Sequence, residues 1–347
     1  MLELYRTYSI KEIGDLKDFV TVAYVIIDDI YQDVTPTHIK NRCNINTSKM
    51  SDSEIITLSI VAELLTIDSE NAWFGFCKKN MRDLFPRLCS RSRFNRTRRN
   101  LHAVIEEIRK KISALTEHIN QPYRIIDSIP IPVCKFGRAH FHKTFKGFGA
   151  TYGKCASKKE TYLGYKLHML ATIDGFITDA VITSANIDDR AATWDLISGY
   201  SNITMFGDKG YIGDDFAADL KAEKDINILP LKRNSSKIQF PKELRQTIFR
   251  LGRRIETSAS QLVCQLNIER VLAKSFWGLQ TRIKTKLLAY NLCYYINKLI
   301  GRESHSRIKE LVFGKLIHIG TIYQGFYILI HWYNIPLVEI KLPSTRG

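Results

Sequence analysis

The stretch YLGYKLHMLATIDGFITDAVIT, residues 162–183, decides the fold. Two β-prone runs, 162–173 and 176–183, flank Asp174-Gly175. Such a dipeptide supplies the positive φ angles that tight hairpin turns need, so an antiparallel hairpin is expected here. Upstream, 124–133 is a third β-prone run (Ile125, Ile126, Ile129, Ile131, Val133). Its Pro130 and Pro132 point to an edge or the end of a strand, because proline donates no ladder N–H. Downstream, 186–200 reads as a helix with Asp188 and Asp189 in its positively polarised first turn. A short buried strand, 203–206, ends at Gly207-Asp208, and a helix over 214–224, a strand over 226–231 and a long helical region over 242–300 follow. This order predicts an α/β ribonuclease H-like core, a mixed five-stranded sheet with flanking helices.

The residues before this core read as helical. Ser51 and Glu54 form a capping-box pattern ahead of Ile55, Leu58, Ile60, Val61, Leu64 and Leu65. A second helix is expected over 72–84, stopped by Pro86, and a third from 92 to 115. In the third, Phe94, Leu101, Val104, Ile108, Ile112 and Leu115 recur at helical spacing and leave the arginines on other faces. The expected organisation is a small all-α domain over 1–120, the α/β domain over 121–302 and an apolar extension over 303–347.

Charge placement adds a partner class. The 347 residues carry 51 Lys+Arg against 35 Asp+Glu, a net +16, which favours polyanions. Residues 1–77 are net acidic, with 6 Lys+Arg against 12 Asp+Glu, whereas 78–99 hold 9 basic residues against Asp83 alone. Arg91, Arg93, Arg96, Arg98 and Arg99 thus become candidate DNA contacts on the third helix. A second basic region interleaves Lys135, Arg138, Lys143, Lys146 and Lys154 with Phe136, Phe141, Phe145, Phe148 and Tyr152, with no acid before Glu160. That mixture suits a loop whose cations track phosphate while its rings stack on bases.

Several classes are excluded. Seven dispersed cysteines without a CxxC pair read as reduced thiols in a cytoplasmic protein, neither a disulfide framework nor a zinc site. The amino terminus has no apolar secretory core. The 23 residues between Lys315 and Glu339 lack Asp, Glu, Lys and Arg, but His318, Gln324, His331, Asn334 and Pro336 argue against a membrane span. Gly207, Gly210 and Gly213 match no phosphate-binding fingerprint, so no nucleotide cofactor is expected.

The informative residues are acids in apolar settings. Asp127 lies in the first strand and Asp208 directly after the fourth; an unpaired carboxylate there is costly unless a cation is bound. A third carboxylate would come from the last helical region, where position alone does not choose between Glu256 and Glu269. Lys166, Lys209, Arg233, Arg253 and Arg254 are candidate phosphate contacts. His168, a lone histidine in a strand, reads as structural.

Asp127-Ser128-Ile129-Pro130, Gly164-Tyr165-Lys166-Leu167-His168, Gly207-Asp208-Lys209-Gly210-Tyr211 and Arg254-Ile255-Glu256-Thr257, followed by Ser260-Gln261-Leu262, resemble the motifs of bacterial insertion-sequence transposases with an Asp-Asp-Glu triad. The sequence is most similar to the insertion-sequence-982 family, from about Leu58 to Gly314, including Phe85-Pro86-Arg87-Leu88; Ala259 departs from the aromatic of the family pattern. The resemblance implies that Asp127, Asp208 and Glu256 are the triad, with Glu269 in reserve, and that they hold two Mg²⁺ or Mn²⁺ ions. It further implies cleavage at transposon ends and joining of the 3′-hydroxyl to target DNA. Partners would be double-stranded DNA of terminal inverted repeats and target, and a second copy in a synaptic complex at the bacterial nucleoid. The alternatives are a ribonuclease H-like nuclease without strand transfer and an inactive, transposase-derived DNA-binding protein. The extension after Gly314 lies beyond the resemblance.

Overall fold

The computed structural model describes residues 13–116, 118–145, 147–155, 158–232, 235–236, 239–302 and 308–313. Nearly all of the apolar 303–347 extension lies outside these residues.

Six helices precede the sheet: α1 (Leu16–Val34), α2 (Thr37–Lys40), α3 (Asp52–Leu64), α4 (Glu70–Asn80), α5 (Arg91–Asn100) and α6 (His102–Leu115). The capping box opens α3, with Ser51 Oγ accepting from the Glu54 amide and Glu54 accepting from the Ser51 amide. The single helix expected over 92–115 is instead two, because Leu101 (φ −87, ψ 7) leaves helical geometry. Its apolar spacing carries across the break, so periodicity does not reveal it.

The sheet has six strands rather than the five expected: β1 (Tyr123–Lys135), β2 (Thr151–Cys155), β3 (Glu160–Ala171), β4 (Ile177–Ser184), β5 (Thr204–Gly207) and β6 (Asn227–Pro230). A short helix, α7 (Phe136–Ala139), precedes the extra strand β2. The order is β2-β3-β1-β5-β6, with β4 also pairing β3. β1 is antiparallel to β3, β3 to β4 and β2 to β3, whereas β5 runs parallel to β1 and to β6. The hairpin forms with a wider turn than the dipeptide implies: the Thr172 amide donates to the Phe176 carbonyl, and of Asp174 and Gly175 only Gly175 (φ +94) is left-handed. β1 is interior, yet it pairs with β5 only over Tyr123–Ile125, so Pro130 and Pro132 sit where one side of the strand needs no donor.

Side chains alternate across β1, as strand geometry requires. Ile129 and Ile131 join the large core with the amino-terminal helices, while Ile126 joins a second core on the opposite face. That second face is covered by α8 (Asp189–Leu196) and α9 (Asp214–Lys224). The first is covered by α10 (Lys242–Leu266) and α11 (Phe276–Leu299), which replace the single helical run expected over 242–300. Asn267, left-handed at φ 50, ends α10, and Ser275 caps α11. A short α12 (Glu310–Phe313) follows.

α11 binds the two halves together. Tyr290 and Tyr294 hydroxyls donate to the carbonyls of Gly175 and Asp174, and the Asn291 amide donates to that of Ile177. On its other side Arg282 and Lys286 pair with Glu63 of α3. All seven cysteines are free; Cys77, Cys89 and Cys293 are buried, Cys43 and Cys264 exposed. Among the described residues no helix is long and apolar enough to cross a membrane.

Candidate active site

The parallel register between β1 and β5 sets the geometry. Tyr123 faces Thr204, Arg124 faces Met205 and Ile125 faces Phe206. Continued two steps past the last paired residues, the same register brings Asp127 level with Asp208, and the charge of Asp208 acts on Asp127. Both lie past the last residues that β1 and β5 pair with each other, Asp127 still paired with Met169 of β3 and Asp208 capping the turn after β5. Each carboxylate is oriented by a backbone donor: the Ser128 amide to Asp127 Oδ1 at 2.8 Å, and the Gly210 amide to Asp208 Oδ1 at 2.8 Å.

α10 brings a third acid. Ile255 is buried with Ile125 and Ala171, which holds Glu256 at the same end of β1, and Ser258 Oγ donates to the Gly175 carbonyl at 3.0 Å. Glu256 is exposed and lines an open groove of about 610 Å³ with Arg253, Thr257, Ser260, Gln261, Cys264 and Gln265. Neither Asp127 nor Asp208 lines that groove, and a second concavity, of about 630 Å³ against α1 to α3, contains none of the three acids.

The electrostatics show how closely the acids communicate. Burial is the main cause that pushes the Asp127 carboxyl up to about 7; the charges of Asp208, Asp189 and Glu256 add to it, and the Ser128 amide opposes it. Glu269 is not among these charges; it lies beyond the end of α10, in an ion pair with Lys158.

Asp189 is the acid that sequence reasoning missed. It opens α8, where the helix dipole accounted for it, but Asp188 is the actual N-cap and satisfies that end by accepting from the Arg190 amide at 2.9 Å. The surplus acid beside a sufficient cap is the available signal. Asp189 Oδ1 accepts from Lys166 Nζ at 2.9 Å and stands 3.5 Å from His168 Nδ1. A Cβ at Gly210 would sit 3.0 Å from Asp208 Oδ1 and 3.4 Å from Asp189 Oδ2, so these two carboxylates flank that glycine. His168 is buried, its other nitrogen meets Thr183 Oγ1 at 2.9 Å, and burial holds its pKa down at about 4 despite Asp189, so it is neutral at pH 7. Tyr211 packs under Gly207, with a hydroxyl that has no hydrogen-bond partner and a pKa raised by burial and then by the acids.

The donor set can be tested for a cation. Among the described residues no three acids, histidines or cysteines stand close enough together to hold an ion as placed. The chemistry nevertheless fits: the hard oxygen donors Asp208, Asp189 and Glu256 all place negative charge on buried Asp127, and no cation lies among the charges acting on it. Such a set is stabilised by a divalent ion.

The expected DNA contacts divide. Arg91, Arg96, Lys209 and Arg253 are exposed, and Arg93, Arg99, Lys166 and Arg254 half-buried. Arg98 is a correction. It is 6% exposed, donates to Glu70 Oε1 and Asn95 Oδ1 at 3.0 Å, and burial lowers its pKa. Its guanidinium joins helices and is withdrawn from any ligand. Arg233 lies outside the described residues.

Residues 116–275 match the family model described as transposase DDE domain. The protein is an enzyme of the transposase class, and the matched segment contains Asp127, Asp208, Glu256 and Asp189. Transposase DDE domains use divalent metal ions. One solved structure, described as a piggyBac transposase synaptic complex with hairpin DNA, aligns at 10% identity and a TM-score of 0.43 over 97% of this chain and 87% of that one. Likeness of that degree defines neither fold nor function. No curated protein matches the chain significantly.

Proposed function

We propose that the enzyme is a DNA transposase of the insertion-sequence-982 type, with a ribonuclease H-like core over 121–302. A helical domain over 1–120 would recognise the terminal repeats. The observation that carries this reading is that Asp127 in β1 and Asp208, directly after the parallel β5, are level in register and that the charges of Asp208 and Glu256 both act on Asp127.

Asp127, Asp208 and Glu256 would hold two Mg²⁺ or Mn²⁺ ions, which supply activation of the attacking oxygen and stabilisation of the leaving oxygen in phosphodiester chemistry. Asp127, inside the sheet and under the charge of the other acids, would be the central residue of that donor set. The backbone amides of Ser128 and Gly210 fix the carboxylate orientations before substrate arrives. Asp189 holds Lys166 at the edge of the site, ready to meet phosphate. Glu256 is favoured over Glu269 because its charge acts on Asp127, whereas Glu269 is neutralised by Lys158. Substrate is double-stranded DNA, and a second copy would hold the other transposon end.

The test is a strand-transfer assay with precut terminal-repeat oligonucleotides, a plasmid target and Mg²⁺. Joined products are expected. Cutting without joining would favour a nuclease, and binding alone would favour an inactive DNA-binding protein.

A further inference from the structure

The chain carries no acidic residue from Ser128 in β1 through Lys159 before β3, and the exposed rings between these strands are not absorbed by the carboxylate site. Phe136 is 60% exposed, Phe141 78%, Phe148 57% and Tyr152 51%. Large apolar rings left in water in one segment mark an interaction surface.

The segment is built to hold them. Phe145 is buried with its ring edge-on to Tyr165, 6.1 Å between centroids, and the Tyr165 hydroxyl donates to the Phe148 carbonyl at 2.8 Å. Strand β2 lies at the sheet edge, where Tyr152 and Lys154 point outward and Gly153 points inward. A Cβ at Gly153 would come within 2.7 Å of Ala185 and 2.9 Å of Tyr162, so this face orientation is enforced. The Phe136 ring meets that of Tyr152 at 5.7 Å and 63°, which sets two exposed rings together beside the exposed Arg138 and Lys154 cations.

We infer that Phe136 and Tyr152, with Arg138 and Lys154, form a stacking platform for an unpaired stretch of DNA. The deduction rests on the transposase reading and deepens it by naming the form of substrate that this surface takes. Rings interleaved with cations match the two chemistries of a single strand, base faces and phosphates. A duplex hides its base faces and offers the rings nothing. A second copy of this chain would bring like charge against like. The platform is separate from the acids: Tyr152 pairs with Leu163 and Asp127 with Met169 along β3. Six residues of strand separate them, about 20 Å.

The test measures equilibrium binding of the full chain, without metal, to a fluorescein-labelled 20-nucleotide single strand and to the matching blunt duplex. Phe136→Ala/Tyr152→Ala should lose about tenfold or more on the single strand and less than about twofold on the duplex, with Tyr152→Phe unchanged. Equal loss on both probes, or no loss, would overturn the platform while leaving the transposase reading intact, since the wild-type chain would still bind duplex. Failure to bind either DNA would remove both. A homodimer that the double substitution dissociates, with no change in single-strand affinity, would assign the rings to self-association and also overturn the platform.

Discussion

Removing the Glu63 carboxylate should unfold the enzyme more readily than any surface change. Glu63 is 1% exposed and accepts from Arg282 Nε at 2.9 Å, from Arg282 Nη2 at 3.0 Å and from Lys286 Nζ. Glu63→Ala leaves two buried cations with Asp68 as the remaining acid, 3.3 Å from Arg282. Breaking a buried ion pair from one side costs about 3–5 kcal/mol. Titration gives a second route to the same magnitude. Burial by itself raises the Glu63 pKa, but Lys286 and Arg282 outweigh it and hold the carboxyl at about 2 against an ordinary 4.5. At 1.36 kcal/mol per pKa unit, that depression contributes roughly 3 kcal/mol. Because the folded pKa is the lower one, the contribution is complete above about pH 4.5 and disappears as pH falls towards 2. Urea denaturation of wild type and Glu63→Gln should therefore show a stability gap that is flat from pH 8 to 5 and narrows below. A gap under about 1 kcal/mol at pH 7, or one that widens in acid, would refute the reasoning.

Further outcomes follow from the same geometry. Asp127→Asn, Asp208→Asn and Glu256→Gln should each lower strand transfer by about 10³-fold or more, several kcal/mol of transition-state stabilisation, with duplex binding within about threefold; Glu269→Gln should stay active. Gly164→Ala should destabilise by at least about 1–3 kcal/mol in thermal or urea unfolding, since its Cβ would come within 2.2 Å of the Ile131 carbonyl across the β1–β3 pair. Asp189→Asn should keep the fold by circular dichroism but weaken DNA joining by freeing Lys166. An Asp189→Asn enzyme as active as wild type would strip Asp189 of any part in the site.

Local patterns were readable where the chemistry is local. The Asp174-Gly175 turn, the α3 capping box and helix 214–224 each rest on contacts within a few residues. Strand β2 was hidden because Thr151–Cys155 contains Gly153 and Lys154, both poor strand formers; what makes it a strand is pairing with β3 and a fit against Ala185. Arg98 looked like its basic neighbours because the Glu70 that draws it inward is 28 residues away. In the candidate site, Asp127 stands out as an acid within an apolar strand and Asp208 as one directly after an apolar strand. Asp189 does not, since a helix start is an ordinary place for an acid, and only tertiary packing brings it to Gly210.

The central claim is that Asp127, Asp208 and Glu256 act together on divalent cations. Titration of Mn²⁺ into the complex of the full chain with end DNA, followed by paramagnetic resonance, tests it without requiring turnover. Saturable binding is expected, weakened about tenfold or more in Asp127→Asn and in Glu256→Gln but not in Glu269→Gln. Mn²⁺ affinity unchanged by either of the first two substitutions would contradict the account.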